Sequence, residues 1–156
     1  MFSAYSVANA FIERALAGRL HGLNSMKLQK LMYFAQAWHL KGTGRPLFED
    51  TFLRGLHGPV LPSIEHQLTV YGSAPIGQYL TTPTAHDDPL IWNVPELPKK
   101  NERIQSLIDA ILTTYGHESA KALSDLTHLP GSAWSQGPAD GGPMLNDTIR
   151  DDPTLE

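Results

Sequence analysis

Seven histidines are the most conspicuous residues that could do chemistry in this chain of 156 residues, which contains no cysteine. The absence of cysteine excludes a thiol nucleophile, a cysteine-ligated zinc site, an iron–sulfur cluster and a disulfide scaffold. Metal-binding histidine pairs on a helix stand three or four residues apart, and no two histidines here have that spacing. The sequence therefore predicts neither a metal site nor a bound cofactor.

Two groupings of histidine with acidic residues remain as chemical candidates. His86, Asp87 and Asp88 are consecutive, but their Pro-rich neighbourhood favours a solvated loop tip. Asp125 and His128 stand three residues apart, so a helix would bring their side chains together. Because His57 and His128 both lie beside predicted helix boundaries, we expect their rings to bond the backbone instead. The sequence also lacks the motifs of hydrolases and nucleotide-binding enzymes, so we do not predict an enzyme.

Charge is distributed unevenly along the chain. Residues 1–46 contain six Lys or Arg and one Glu, a net charge of +5, and the remaining residues carry −9. A basic segment of this kind marks either a polar partner surface or an ordinary solvated helix face. We place it on a narrow wet edge of the first two helices, where Lys27, Lys30, Gln36 and Lys41 would line the second helix. Because the whole chain is acidic, we do not expect a nucleic-acid partner.

Apolar periodicity predicts a mainly α fold, a single compact bundle of about five helices around a central buried helix at about residues 25–41. The first helix is predicted over about residues 6–20, with Ser6 as its N-cap. The central helix is apolar around most of its circumference, so we expect neighbours on most sides. Its Tyr33, Phe34 and Trp38 are then core residues rather than a platform for nucleic-acid bases.

Proline and glycine divide the rest of the chain. They predict a small β-hairpin or extended element near residues 47–56, a constrained turn at 57–62, and long Pro/Gly-rich loops at 73–98 and 129–143. We assign residues 1–150 to one domain and 151–156 to an acidic tail. The first residues have no basic n-region and no apolar run reaches 18 residues, so we expect neither a signal peptide nor a membrane span. These features favour a cytoplasmic protein.

Three segments together resemble the SocA-like family, also called the Panacea domain. The first is MKLQKLMYFAQAWHL at residues 26–40, the second joins GRPLF at 44–48 to HGPV at 57–60, and the third joins LTH at 126–128 to Trp134. The resemblance covers roughly residues 4–149. The positions that carry it are Lys27, Leu28, Gln29, Lys30, Leu31, Tyr33, Trp38, Pro46, Leu47, Gly58, Pro59, Val60, Leu123, Thr127, His128 and Trp134, and most of them look like scaffold.

The resemblance implies an antitoxin, or a regulator of that type, with a mainly helical fold and a small β element. Members of the family are typically encoded beside a toxin and neutralise it by direct protein contact. One member resembles a proteolytic adaptor, which makes a ClpXP-type protease a second candidate partner. The family is not known as a class of enzymes.

This chain departs from the family pattern near the G-P-V segment. Family members usually have Trp and another aromatic residue where Gly55 and His57 stand here, and Pro where Ala133 precedes Trp134. These changes leave open a toxic effector or enzyme on the same scaffold, and the basic first third leaves open a DNA-binding regulator. Because interface hot spots favour aromatic and arginine anchors, we predict Arg45, His57 and Trp92 as partner contacts.

Overall fold

A computed structural model describes residues 1–83 and 92–155 of the chain. In those residues six α-helices run in the order α1 (Ala4–Leu16), α2 (Ser25–Thr43), α3 (Pro62–Leu68), α4 (Glu102–Tyr115), α5 (Ala120–Thr127) and α6 (Asn146–Arg150). Two antiparallel strand pairs join them, β1 (Leu53–Gly55) with β2 (Gly58–Val60), and β3 (Thr82–Pro83) with β4 (Trp92–Asn93). The predicted mainly helical fold with a small hairpin is confirmed. No helix in the described ranges is long and apolar enough to cross a membrane.

Helix α2 is the centre of the fold, as its apolar circumference predicts. It contacts each of the other five helices and strand β2. The Asn24 side chain caps its N-terminus by accepting from the Lys27 backbone N–H at 2.9 Å. At the other end Gly44 adopts φ 74°, so the helix ends two residues beyond the predicted position. Tyr33 and Phe34 are buried in the core and Trp38 packs against it, which confirms their structural interpretation.

The first helix begins earlier than predicted. Its N-cap is Ser3, whose side-chain oxygen accepts from the Ser6 backbone N–H at 3.1 Å, and the helix ends at Leu16. The prediction that Ser6 is the cap was therefore wrong. Both serines are good caps, and apolar periodicity alone does not show which one starts the helix.

The hairpin lies slightly later in the chain than predicted. Strand β2 falls on Gly58–Val60, which we had assigned to a turn, and the turn itself is formed by Leu56 and His57. Residues 47–52 are not part of a strand. The buried Gln36 holds them instead, since its amide donates to the Phe48 carbonyl at 3.0 Å and accepts from the Leu47 N–H at 2.6 Å.

The basic residues of α2 do not form the wet edge that we predicted. Lys27 and Lys30 are 4% and 3% exposed, and Gln36 is fully buried. Lys27 donates to the carbonyls of His21 and Gly116, while Lys41 donates to those of Arg150 and Asp152. These long side chains donate to backbone carbonyls of other segments. Much of the positive charge in the first third of the chain therefore takes part in hydrogen bonds within the protein.

The C-terminal residues pack onto the domain. Asp152 is 2% exposed, and its carboxylate accepts from the Ala133 backbone N–H at 2.9 Å and from the Tyr33 hydroxyl at 3.4 Å. Burial and the nearby carboxylate raise the pKa of Tyr33, because both disfavour a phenolate there. The segment that we assigned to an acidic tail is thus anchored to the central helix through Asp152.

Candidate functional site

The candidate site is the β1–β2 hairpin together with the parts of α2 and α5 that hold it. Gly58 lies at the start of β2 with φ 110°, a backbone conformation that favours glycine. A Cβ at that position would lie 2.5 Å from Thr127 Oγ1 and 3.1 Å from Lys30 Cε. The G-P-V segment therefore brings α2 and α5 together at a point where only glycine fits.

His128 and Trp134 lie beside the turn of the hairpin. Their ring centroids are 3.9 Å apart, and the indole Nε1 of Trp134 donates to the Gly55 carbonyl at 2.9 Å. His128 Nδ1 lies 2.6 Å from the Ser124 carbonyl, which assigns a proton to that nitrogen, and Nε2 lies 3.3 Å from the Leu56 carbonyl. Trp134 thus fixes the backbone at Gly55, just before the turn, and packs against His128, which Ser124 holds in place.

Two further residues anchor the hairpin, and neither is predicted from the sequence. Ser124 Oγ donates to the His57 carbonyl at 2.7 Å. The Arg54 guanidinium donates to the carbonyls of Pro143, Trp134 and Ala133 at 2.7, 3.2 and 3.3 Å. Their role depends on distant backbone carbonyls, so no local spacing could have revealed it.

A cavity of about 360 Å³ opens between the hairpin turn, the first turns of α2, Glu65 of α3 and residues 72–73 that follow that helix. Leu56 and His57 form one side of it, and Met26 and Lys30 of α2 form another. The Lys30 ammonium lies 3.1 Å from the Pro59 carbonyl. Burial lowers the pKa of Lys30 from its ordinary 10.5 to about 8, with a smaller opposing effect of Glu65.

Most other positions of the motif are internal. Lys27, Leu28, Gln29, Leu31, Tyr33, Leu47, Pro59, Leu123 and Thr127 are buried, and Trp38, Pro46 and Val60 are partly buried. Gln29 resembles Gln36 in its role, since its amide accepts from the Leu61 N–H at 2.8 Å and donates to the Leu61 carbonyl at 3.0 Å. The buried members of this set are scaffold residues, and they contribute packing and backbone hydrogen bonds inside the fold.

The three predicted partner contacts do not converge. His57 is exposed on the hairpin turn near the N-terminal end of α2, whereas the exposed Arg45 follows the opposite end of that helix. Trp92 is 59% exposed on β4, where it pairs with Pro83 of β3. Only His57 belongs to the candidate site, and contact of any of the three with a partner stays a prediction.

Of the two candidate groupings of histidine with acidic residues, only Asp125 and His128 lie within the described residues, and these two side chains are not paired. Asp125 pairs with Lys121 at 2.9 Å, and His128 Nδ1 donates to the Ser124 carbonyl at 2.6 Å and not to that carboxylate. The expectation that the His128 ring bonds the backbone is therefore confirmed, because the helix-end carbonyl of Ser124 is the nearer acceptor. Residues 86–88 lie outside the described residues. Among the described residues, no group of three acidic or histidine side chains could hold a metal ion.

The sequence of this chain is similar to that of a known protein and to the pattern of a known family. Antitoxin SocA from Caulobacter vibrioides (strain NA1000 / CB15N) is 30% identical over 132 residues, which are 84% of this chain and 68% of that protein. No solved structure matched the chain. The sequence pattern of the family described as "Antitoxin SocA-like, Panacea domain" matches residues 28–135, a range that includes most of α2, the hairpin, α5 and Trp134. The chain therefore belongs to the antitoxin SocA-like, Panacea-domain family.

Proposed function

We propose that this chain neutralises a cognate toxin by direct protein contact. The observation that carries the proposal is the similarity to Antitoxin SocA over 84% of the chain. The matched family pattern, over residues 28–135, includes the hairpin, α5 and Trp134 of the candidate site. The toxin would be a protein encoded nearby, and the encounter would take place in the cytoplasm.

The hydrogen bonds of the candidate site support a role in binding a partner protein. Hydrogen bonds from Arg54, Ser124 and Trp134 to backbone carbonyls fix the exposed turn of the hairpin. Because these bonds restrict the backbone, the surface that the turn presents is rigid. Rigid presentation raises affinity because little conformational entropy is lost when a partner binds. The exposed turn residues Leu56 and His57 are held in place in this way.

Co-expression tests the proposal directly. The product of the adjacent gene is expressed with and without this chain, and we expect growth arrest only in its absence and co-purification of the two proteins in its presence. Arrest caused by this chain alone would favour a toxic effector instead. Failure both to rescue growth and to form a complex would refute the proposal.

We further propose that the chain delivers its toxin to a ClpXP-type protease. Adaptor action predicts that the toxin's half-life shortens when this chain is present and lengthens again when the protease is absent. If the half-life is the same with and without the protease while growth is still rescued, neutralisation occurs by binding alone.

A further inference from the structure

The cavity beside the hairpin contains a positive charge that the fold leaves only partly satisfied. Lys30 is 3% exposed, and its ammonium has three N–H donors but bonds one carbonyl, that of Pro59. In the described part of the chain no carboxylate lies within 4.0 Å of this ammonium, although Glu65 lines the same cavity. A buried cation in this position gains from an acceptor that enters the cavity.

The surroundings of Lys30 also favour a negative group. Asn24, Ser25 and Met26 line the cavity with the first turn of α2, a helix of 19 residues. The N-terminal end of such a helix carries a partial positive charge that attracts anions. The volume of about 360 Å³ falls in the range of about 300–1,000 Å³ that is usual for ligand pockets.

The rim of the cavity is apolar and prominently exposed. Leu56 is 77% exposed on the hairpin turn, where the bonds of Trp134 to the Gly55 carbonyl and of Ser124 to the His57 carbonyl fix the backbone on either side. A leucine held rigidly at the edge of a charged cavity provides apolar contact area next to an electrostatic contact. Interfaces place their strongest contacts in such partly desolvated pockets.

We propose that this cavity receives an aspartate or glutamate side chain of the toxin, whose carboxylate bonds Lys30 while an adjacent apolar side chain packs on Leu56. The inference rests on the proposed function and adds to it the contact surface and the chemistry of the partner. Charge complementarity favours an acidic occupant, because the Lys30 ammonium bonds one carbonyl and can donate to a further acceptor, and the described Glu65 carboxylate is not within 4.0 Å of it.

Two pairs of variants separate the charge from the apolar contact. Ser25→Glu adds a carboxylate at the first position of α2, which that helix end tolerates, and it repels an incoming acidic group. Ala120→Glu makes the equivalent change at the first position of α5, outside the cavity. Leu56→Ser removes the apolar rim, and Leu145→Ser removes a leucine that is 66% exposed elsewhere.

The affinity of the purified adjacent-gene product for each variant is measured by calorimetry, after circular dichroism has shown that the variant is folded. We expect Ser25→Glu and Leu56→Ser to weaken binding about tenfold or more, and the two controls to stay within about twofold. Wild-type affinity for Ser25→Glu, or equal losses in the controls, would overturn the inference and leave the proposed function standing. If the unsubstituted chain does not bind at all, the proposed function fails and this inference fails with it.

Discussion

Gly58 of the hairpin lies so close to Thr127 of α5 that a Cβ on Gly58 would stand 2.5 Å from Thr127 Oγ1. The two residues are 69 positions apart in the sequence, and both are positions that carry the family resemblance. Their contact is the point where the hairpin is fixed against the helical bundle. The identity of the residue at position 58 therefore controls whether the candidate site can form.

Replacing Gly58 with alanine tests this contact. We expect Gly58→Ala to lower the free energy of unfolding by about 3 kcal/mol, because the added methyl meets Thr127 and the φ of 110° is strained for any other residue. Urea denaturation measures the loss. Gly77→Ala is the matched control, since nothing lies within 4 Å of its Cβ and its φ is not positive, and it should change stability by less than about 0.5 kcal/mol. Equal effects of the two substitutions would contradict the prediction.

The amide of Gln36 should be essential for holding residues 47 and 48. Gln36→Leu leaves the Leu47 N–H and the Phe48 carbonyl without their partner in a fully buried environment, so we expect a loss of about 2–5 kcal/mol. Thermal and urea denaturation both report it. Gln78→Leu, at an exposed position, is the control and should be nearly neutral. A small effect of Gln36→Leu would mean that water replaces the amide.

The buried Lys30 should make stability rise with pH in a defined window. Its pKa is about 8 in the folded protein and 10.5 ordinarily, so between these values the unfolded chain binds more protons than the folded one. The cost of burying the charge is full below about pH 8 and is relieved as the pH rises towards 10.5.

Comparison with Lys30→Met isolates this effect. From about pH 8 to about pH 10, the free energy of unfolding of the wild type should gain about 2 kcal/mol relative to that of the variant. Tyr33, whose pKa is raised, and Lys27, whose pKa is lowered by burial, titrate in both proteins and cancel in the difference. A difference that stays constant with pH would show that Lys30 titrates in the folded protein as it does in the unfolded chain.

The sequence allowed the central helix to be predicted because its apolar residues cover most of its circumference, and only burial on most sides accommodates such a helix. The same pattern misplaced Lys27 and Lys30. Periodicity treats every lysine as a solvated residue, whereas these two extend their stems along the protein and donate to carbonyls of distant segments.

The candidate site was predictable only in part, for a related reason. Gly58 and Pro59 signal a constrained backbone, and the sequence analysis identified both. The anchoring by Arg54 and Ser124 depends on carbonyls about 70 to 90 residues away, so it exists only in the folded chain. Local spacing in the sequence identifies residues that contact neighbours along the same helix or strand. This hairpin is held almost entirely by residues that contact distant segments instead.

Asp151 and Asp152 are adjacent acidic residues that should respond very differently to substitution. Asp152 is 2% exposed and accepts from the Ala133 N–H, which is also buried, and from the Tyr33 hydroxyl. Asp152→Ala leaves these donors unpaired, so we expect a loss of about 2–4 kcal/mol in the free energy of unfolding.

Asp151 instead pairs with Arg150 at 2.9 Å on the surface, where an ion pair contributes little. Asp151→Ala should therefore have a much smaller effect than Asp152→Ala when the two variants are compared by urea denaturation. A detached acidic tail would give two equally small effects. A large loss for Asp152→Ala alone would establish that the segment after α6 is part of the folded domain, because only an internal acceptor leaves buried donors behind when it is removed.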